Sequence, residues 1–344
     1  RRAGRAAADG ASGAAGRSYL MRIARRAMAC LFEVCVNVGQ YEGDMGAALD
    51  ALDLIESLED QLSVFRPTSQ LNRINRGAAG GPVQVDPELL HLLQLALEIS
   101  QRTGGAFDIT ATPLWRAWGF ARRAGRVPNQ SELAEALQHV GSRWVRLNDP
   151  PGTVRFLKPG IELSLGSIGK GYALDRAAEV LAEAGIGDFL VHSGQSSILA
   201  RGSRMGRHTT NGSGWPVGLP DPRRRGARLG EITLYNRALA TSSSAFQSFR
   251  HQGKRYGHVL DPRTGWPAEG VLSATAIAPT AAMADALATA FYVMGPEAVE
   301  DYCQHHAEVG AVLVCPLARG AGSRVLAFGI DPGQLRWFDQ NAGS

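Results

Sequence analysis

The side chains best suited to chemistry in this sequence lie between residues 258 and 289. His258 offers an imidazole that titrates near neutral pH, and it begins a turn with the sequence HVLDPRTG. Asp285 and Thr289 follow, four residues apart in a good helical context. Because residues i and i+4 share a helix face, their carboxylate and hydroxyl can offer two oxygens to a hard cation such as Mg²⁺. The alternative is structural, with Asp285 as an N-terminal helix charge and Thr289 bonded to its own helix.

A second feature is the glycine-rich turn at residues 166–171 (GSIGKG), which precedes a helical pattern at 172–184. Glycines let backbone N–H groups approach a phosphate, a helix N terminus favours an anion, and Lys170 adds positive charge. The turn is not a Walker P-loop, because its glycine spacing is short and Gly171 stands where Ser or Thr should follow the lysine. A tight turn between a strand and a helix explains the same residues about as well.

The composition excludes several classes of protein. With 344 residues, 44% of them hydrophobic and 20% charged, the chain has the character of an ordinary soluble globular protein. The net charge is +4, but the arginine clusters lack interleaved aromatic residues, so we reject nucleic acid as the main partner. The four cysteines form no CxxC pair and no zinc-spaced group with histidine, which indicates buried free thiols. No apolar run approaches the roughly 20 residues of a transmembrane helix.

Periodicity predicts the elements that must position these residues. Helices are predicted at 45–62, 87–102, 131–140, 172–184, 281–294 and 296–306. Strands are predicted at 31–38, 144–147, 153–156, 161–165, 189–192, 231–235, 238–241, 272–278, 309–314 and 324–328. Residues 63–75 are predicted to be a polar connecting segment, and residues 201–229 a long irregular region. Because strands and helices are mixed rather than strictly alternating, we expect an α+β (mixed α/β) fold.

Three aromatic residues near the middle of the chain, Trp115, Trp118 and Phe120, could stack on a planar ligand. Aromatic residues at this spacing belong more often to a core, and we favour that interpretation.

Six segments occur in an order that is more informative than any one of them. They are Met28-Ala29-Cys30 with Phe32-Glu33, the run 62–75, the segment 105–110 (GAFDIT), the segment 169–175 (GKGYALD), the turn 258–267 and the pair Asp285/Thr289. This series resembles the ApbE family, the FAD:protein FMN transferases, over about residues 25–300. The HxxDPxTG and ADxxxT motifs at this separation are the most specific part of the resemblance.

The resemblance implies a fold and a reaction. The fold is a single ApbE-like domain at 25–335, two lobes of mixed sheet and helices with a flavin cleft between them. It is flanked by a disordered basic arm at 1–24 and a tail at 336–344. The reaction is Mg²⁺-dependent: a threonine hydroxyl of an acceptor flavoprotein attacks the FMN-side phosphorus of FAD, and AMP leaves.

The resemblance also implies roles for individual residues. Asp285 and Thr289 become side-chain ligands of Mg²⁺, with the backbone carbonyl of Ser167 as a third ligand. His258 is the candidate for proton transfer, although a structural role in its turn is equally open. The flavin- and nucleotide-contacting positions correspond to Met28, Phe65, Ala106, Phe107, Asp108, Ser164, Lys170, His258 and Leu260.

Several positions depart from the family pattern. Ser164 replaces a common aspartate, Gln195 and Ser196 replace Gly-Asp, Ser243 replaces a glycine, and Ala288 stands where some relatives carry an acid. Losing an acid near a cation would weaken metal binding or require the phosphates to supply more of the oxygen ligands. Two alternatives therefore stay open: an FAD pyrophosphatase that yields FMN and AMP, and a non-catalytic FAD-binding protein. A metal-dependent hydrolase of another phosphorylated compound would leave Phe65 and the 106–108 segment unexplained.

The sequence leaves the cellular compartment open. Family members typically work on the outer side of the bacterial cytoplasmic membrane, which would place the protein in the periplasm. The first residues, however, show no apolar signal region and no lipobox cysteine. A cytoplasmic location is the alternative.

Overall fold

The computed structural model describes residues 19–122, 125–148, 150–194, 196–204, 214–243, 248–317 and 322–338. Helices in these ranges are α1 (Asp44–Leu62), α2 (Gln70–Gly77), α3 (Pro87–Arg102), α4 (Thr112–Ala117), α5 (Gln130–Gln138), α6 (Gly169–Glu183), α7 (Ala281–Met294) and α8 (Pro296–His305). Their ends follow local rules. The proline at the start of α3 costs no hydrogen bond there, and Gly104 and Gly105 after it take positive φ. A capping box of Asn129 and Glu132 begins α5.

An eight-stranded sheet forms the centre of the fold. Its strands are β1 (Leu20–Ala27), β2 (Cys30–Asn37), β6 (Phe189–Ser193), β7 (Ser197–Arg201), β10 (Arg237–Ser243), β13 (Ser273–Ala278), β14 (Gly310–Pro316) and β15 (Ser323–Phe328), in that spatial order. Every neighbouring pair in this sheet is antiparallel. The mixture of helices with antiparallel sheets confirms the expected α+β class.

Three small sheets complete the described strands. They consist of β3 (Val83–Gln84), β5 (Thr153–Phe156) and β4 (Val145–Asn148); of β8 (Trp215–Pro220), β9 (Arg228–Leu234) and β16 (Leu335–Trp337); and of β11 (Ser248–His251) with β12 (Lys254–Gly257).

The two faces of the central sheet pack against different layers. In β2 the alternating residues Phe32, Val34 and Val36 join the main core with α1, α6 and α7, whereas Cys35 points to the other face. On that other face Trp215 and Ile232 of the β8–β9 sheet form a second core. A third core lies around Trp118 and Phe120. The central sheet thus separates two layers with different occupants.

Several predicted elements need correction. Residues 63–75 are not only a connecting segment, because α2 begins at Gln70 and the Ser69 side chain before it accepts a hydrogen bond from the Asn72 N–H. The region 201–229 contains β8 and the start of β9, which Pro216, Gly218 and Pro220 conceal as a pattern. Residues 161–165 form no strand.

The predicted domain ends are also wrong in part. Residues 20–24 belong to β1, which pairs along its whole length with β2, and not to a disordered arm. Residues 336 and 337 pair with β9, so the predicted tail cannot begin at 336. Residues 1–18 and 339–344 lie outside the described ranges. Within the described ranges, no helix has the length and apolar character needed to cross a membrane.

Candidate active site

A cleft of about 2010 Å³ lies at one end of the central sheet. Pockets for small ligands measure about 300–1,000 Å³, so this cleft has room for a dinucleotide. The turn between β1 and β2, the end of β6, the end of β10 and the start of β13 all open onto it. Each site residue indicated by the sequence lines it: Met28, Phe65, Ala106, Phe107, Asp108, Ser164, Ser167, Lys170, His258, Leu260, Asp285 and Thr289.

Asp285 is the most firmly held side chain in this cleft. It lies in the second turn of α7 and is only 7% exposed. Its Oδ2 accepts a hydrogen bond of 3.2 Å from the Gly171 N–H, and its Oδ1 accepts one of 3.1 Å from the Ser197 hydroxyl. Three elements, α6, β7 and α7, therefore fix the orientation of one carboxylate.

Thr289 lies one helical turn after Asp285, as its spacing predicts. Its Oγ1 is 3.2 Å from the Ser242 hydroxyl and 3.5 Å from the Asp285 carbonyl. The structural alternative, in which the hydroxyl bonds to its own helix, corresponds to the longer contact, the one to the Asp285 carbonyl. The shorter contact joins Thr289 to β10 across the floor of the cleft.

The approach of α6 to α7 depends on Gly171. A Cβ atom built at this position would lie 2.1 Å from the Ala281 carbonyl oxygen. The glycine of the GKGY segment therefore permits contact between helices, and that contact places the Gly171 N–H against Asp285. At Gly169 an added Cβ would meet only ordinary contacts, the nearest at 3.7 Å.

The start of α7 is held by Asp175 of α6. Its two carboxylate oxygens accept hydrogen bonds from the N–H groups of Ala281 at 2.7 Å and Ala282 at 2.8 Å. N–H groups at a helix N terminus have no acceptor within their own helix, and a negative charge is favourable there. Burial raises the pKa of Asp175 to about 6, and the two N–H donors oppose that rise.

His258 begins a turn that two indoles hold at its two ends. The Trp115 Nε1–H donates to the His258 carbonyl at 3.1 Å, and the Trp118 Nε1–H donates to the Gly265 carbonyl at 2.8 Å. The Trp115 ring also contacts the imidazole edge-on, with centroids 6.3 Å apart. Trp118 is fully buried, which confirms its core role, whereas Trp115 lines the cleft and contributes to both.

Asp261 organises the same turn. Its carboxylate accepts hydrogen bonds from the Arg263 backbone N–H and from the Arg263 guanidinium, at 2.8 to 2.9 Å. This pairing raises the pKa of Arg263. Leu260 and Pro267 form an isolated antiparallel bridge that closes the turn. The DPRTG residues thus shape the backbone that carries His258.

The segment 106–108 reaches the cleft mainly through its backbone. Ala106 and Phe107 are each 1% exposed. The Asp108 carboxylate accepts hydrogen bonds from the Thr110 N–H, the Thr110 hydroxyl and the Ser142 N–H, at 2.6 to 2.8 Å. Asp108 is therefore occupied in folding its own loop.

Phe65 and the turn at Met28 and Ala29, at the mouth of the cleft, contrast with that buried segment. Phe65 is 88% exposed, an uncommon state for a phenyl ring and one suited to stacking on a planar ligand. Met28 and Ala29 form the two-residue turn between β1 and β2, with φ of 49° and 58°. Both angles belong to the left-handed region that disfavours side chains.

Lys170 and Ser164 border the cleft near the start of α6. No carboxylate in the described ranges lies within ion-pair distance of Lys170, so its ammonium is available to an anion. Ser164 donates its backbone N–H to the Ile109 carbonyl at 2.8 Å, which joins it to the 106–110 segment.

The donor set near Asp285 fits a hard cation. Its carboxylate is buried, and among the described residues no Arg or Lys pairs with it, although a buried charge needs compensation. Each carboxylate oxygen accepts one hydrogen bond and retains lone-pair capacity for a metal. The other candidates are the Thr289 hydroxyl, one helical turn further along α7, and the Ser167 carbonyl, and both residues line the same cleft. The set is therefore oxygen-only, as Mg²⁺ prefers.

Sequence reasoning missed three residues of this site. Ser197 and Ser242 hold Asp285 and Thr289, and Trp115 holds His258. Each contact joins residues far apart in the chain, so no local spacing reveals it. Of the departures from the family pattern, Ser196 and Ser243 line the cleft and Ala288 is fully buried, whereas Gln195 lies outside the described residues.

Comparisons with known proteins identify one family over most of the chain. The model of the ApbE family matches residues 28–313. A Treponema pallidum protein named FAD:protein FMN transferase is 33% identical over 265 residues, covering 74% of this chain and 73% of its own. A Haemophilus influenzae protein of the same name is 30% identical over 252 residues, 71% of each chain. The crystal structure of the Thermotoga maritima ApbE protein superposes with a TM-score of 0.78 at 29% identity, covering 89% of this chain and 96% of that one.

Proposed function

The chain belongs to the ApbE family, and we propose that it transfers FMN from FAD to a threonine hydroxyl of an acceptor flavoprotein with the help of Mg²⁺. Flavin transfer from FAD to a protein follows from family membership. The metal, the acceptor threonine and the residue roles are our proposal.

One observation carries this proposal. A buried carboxylate, Asp285, lies without a cationic partner among the described residues, in a cleft that also collects every flavin-contacting position implied by the family. A buried charge of this kind is stable when it binds a cation. Thr289 and Ser167 line the same cleft and supply further oxygens.

The chemistry forms one bond and breaks one. The threonine oxygen bonds to the FMN-side phosphorus, the phosphoanhydride bond breaks, and AMP leaves with the bridging oxygen. His258 lies on the cleft wall and is our candidate to accept the proton of the incoming hydroxyl. Its turn is held by Trp115 and Trp118, so the imidazole has a defined position.

The other residues orient the substrate. Lys170, free of ion pairs in the described ranges, is placed to contact the diphosphate, and the exposed Phe65 ring offers a stacking surface for the flavin. Bound Mg²⁺ would neutralise negative charge on the phosphate oxygens. Asp285 and Thr289 would hold that ion, and Ser197, Ser242 and Gly171 fix their positions.

The test is mass analysis of products. Purified protein is incubated with FAD, Mg²⁺ and a threonine-bearing acceptor domain, and the expected product is an acceptor heavier by one FMN. A parallel reaction without acceptor identifies the pyrophosphatase alternative, which would release FMN and AMP as fast without the acceptor as with it. Tight FAD binding without either product would indicate a non-catalytic flavin-binding protein and contradict the proposal.

The substitution at Ser164 gives the non-catalytic alternative its physical basis. A serine here removes one carboxylate from the nucleotide side of the cleft, and among the described residues its hydroxyl has only a long contact of 3.5 Å with the Gly166 N–H. A Ser164→Asp variant separates the alternatives. If the missing acid limits turnover, the variant transfers FMN faster than the natural chain.

The compartment is a further part of the proposal. On the family resemblance alone we propose the outer side of the bacterial cytoplasmic membrane. Recovery of the native protein only in the cytoplasmic fraction of its source cells would contradict this placement.

A further inference from the structure

We propose that Glu33, Cys35 and His192 form a binding site for a divalent cation of the zinc class, separate from the Mg²⁺ site. Their ligand atoms, a carboxylate oxygen, a thiol sulfur and an imidazole nitrogen, all lie within 4.8 Å of one another. Within the described part of the chain, no other group of three His, Cys, Asp or Glu residues converges in this way.

The sheet itself brings the three residues together. Glu33 and Cys35 are two residues apart in β2 and therefore point to the same face. His192 of β6 is the direct cross-strand partner of Glu33. Because both strands lie inside the central sheet, the three side chains start from rigid backbone, as a preorganised metal site requires.

Two of the three ligand–ligand distances match those around a tetrahedral ion. The Glu33 Oε1 atom lies 3.3 Å from His192 Nε2 and 3.4 Å from Cys35 Sγ. Ligand bonds of about 2.0 Å for oxygen, 2.05 Å for nitrogen and 2.3 Å for sulfur give tetrahedral edges of about 3.3 Å and about 3.5 Å for the same two pairs. The third pair, Cys35 Sγ and the His192 ring nitrogen, lies within 4.8 Å. Two of the three ligand pairs therefore already have the spacing that an ion requires.

The chemistry of the donors selects the ion. A thiolate with an imidazole and a carboxylate suits Zn²⁺ or Co²⁺, whereas Mg²⁺ prefers oxygen ligands alone. The charges of Cys35 and Glu33 would balance a divalent ion. The nearby Arg22 guanidinium, 3.8 Å from Glu33, is 63% exposed and has room to turn toward solvent.

The location of the three residues supports the site. All three residues line the cleft, which leaves a fourth coordination position for water or an anion. They lie on the sheet face that packs against β8 and β9, opposite to the face that packs against α7.

The test is a Co²⁺ titration of the full chain under reducing conditions with excess Mg²⁺ present. We expect one equivalent of Co²⁺ to produce the near-ultraviolet charge-transfer absorption of a cobalt–thiolate bond together with tetrahedral visible bands. Cys35→Ser is expected to abolish the thiolate absorption. Glu33→Gln and His192→Gln are expected to weaken Co²⁺ binding by more than the roughly 10–100-fold that loss of an outer-shell partner costs.

Cys30→Ser is the matched control, because Cys30 belongs to the same strand and also lines the cleft. This variant is expected to keep the absorption. A wild-type protein without a cobalt–thiolate band, or a band that survives in Cys35→Ser, would overturn the proposal. Circular dichroism identifies a variant that fails to fold, and Glu33→Gln then provides the test through an isosteric change. The titration needs no flavin, so its result is independent of transferase activity.

Discussion

One half of the cleft, formed by α6 and α7, holds Asp285 at 7% exposure between three elements. The other half, the loop half, consists of loops and the short helix α4, and it carries Phe65 at 88% exposure and a turn with two left-handed residues, Met28 and Ala29. The packed half offers a fixed set of oxygens, and the loop half offers surfaces that a flavin can cover. The rigid half is thus the one to which we assign Mg²⁺, and the exposed half is the one to which we assign the flavin ring.

The largest effect is expected for Gly171→Ala in the packed half. The added Cβ would lie 2.1 Å from the Ala281 carbonyl oxygen, so α6 and α7 must separate. We expect the free energy of unfolding to fall by more than about 3 kcal/mol, measured by chemical denaturation. Gly169→Ala, two residues earlier, is the control and is expected to keep full stability. Equal effects of both changes would show that the close helix contact does not govern the packed half.

A second test removes the charge at the centre of that half. Asp285→Asn keeps the size of the side chain but removes the carboxylate that we assign to Mg²⁺. We expect FMN transfer to fall by more than about 100-fold, because loss of an outer-shell partner alone costs about 10–100-fold. Transfer rates at increasing Mg²⁺ measure the effect, and Asp331→Asn, on an exposed turn, serves as control. Unchanged Mg²⁺ dependence would remove Asp285 from the metal site.

Asp175 gives the packed half a dependence on pH. Its pKa in the folded protein, about 6, lies above the ordinary value of 3.8, so the folded state binds more protons between these values. Its contribution to stability is therefore complete below pH 3.8 and is lost as the pH rises through 6. From pH 7 to pH 5 we expect the unfolding free energy of the natural chain to rise by about 1 kcal/mol relative to Asp175→Asn. The opposite sign in denaturation curves would contradict the shift.

In the loop half, Trp115→Phe removes one N–H group and keeps an aromatic ring. Loss of the bond to the His258 carbonyl is expected to cost about 1 kcal/mol, or about fivefold in kcat, with little change in the KM for FAD. Trp118→Phe is the matched variant, since its N–H donates to Gly265 at the far end of the turn. We expect it to lower thermal stability more than kcat. A larger loss of kcat in Trp118→Phe than in Trp115→Phe would show that Trp118, and not Trp115, positions His258.

The smallest effect concerns the strained turn at the mouth. Ala29 has a φ of 58°, which costs an L residue about 1–2 kcal/mol, whereas glycine adopts it freely but loses more chain entropy. Ala29→Gly is therefore expected to stabilise the fold by about 0.5–1 kcal/mol in denaturation experiments. Ala24→Gly, the same change inside β1, is expected to destabilise it.

Local spacing predicted the parts of the site that lie within one element. The pair Asp285 and Thr289 shares a helix face, and both residues line the cleft. The role of Gly171 was harder to predict, because a phosphate-binding turn and a close contact between helices both require glycine at this position. Ser197 could not be predicted at all, since its bond to Asp285 spans 88 residues.

The fold shows the same limit. The alternation of apolar residues identified β2, and their helical spacing identified α7. Burial of one face produces such a spacing within a single strand or helix. By contrast, β8 contains two prolines and a glycine, and its pairing with β9 stabilises it despite that composition. The helix α2 was missed because it is short and polar.

The cap that Asp175 places on α7 has a kinetic consequence. Two main-chain N–H groups at the start of α7 donate hydrogen bonds to the Asp175 carboxylate and tie α7 to α6. This frame of two helices is therefore in place before the cation binds, and binding costs little ordering entropy. Substitutions around this frame should then alter residence times far more than encounter rates.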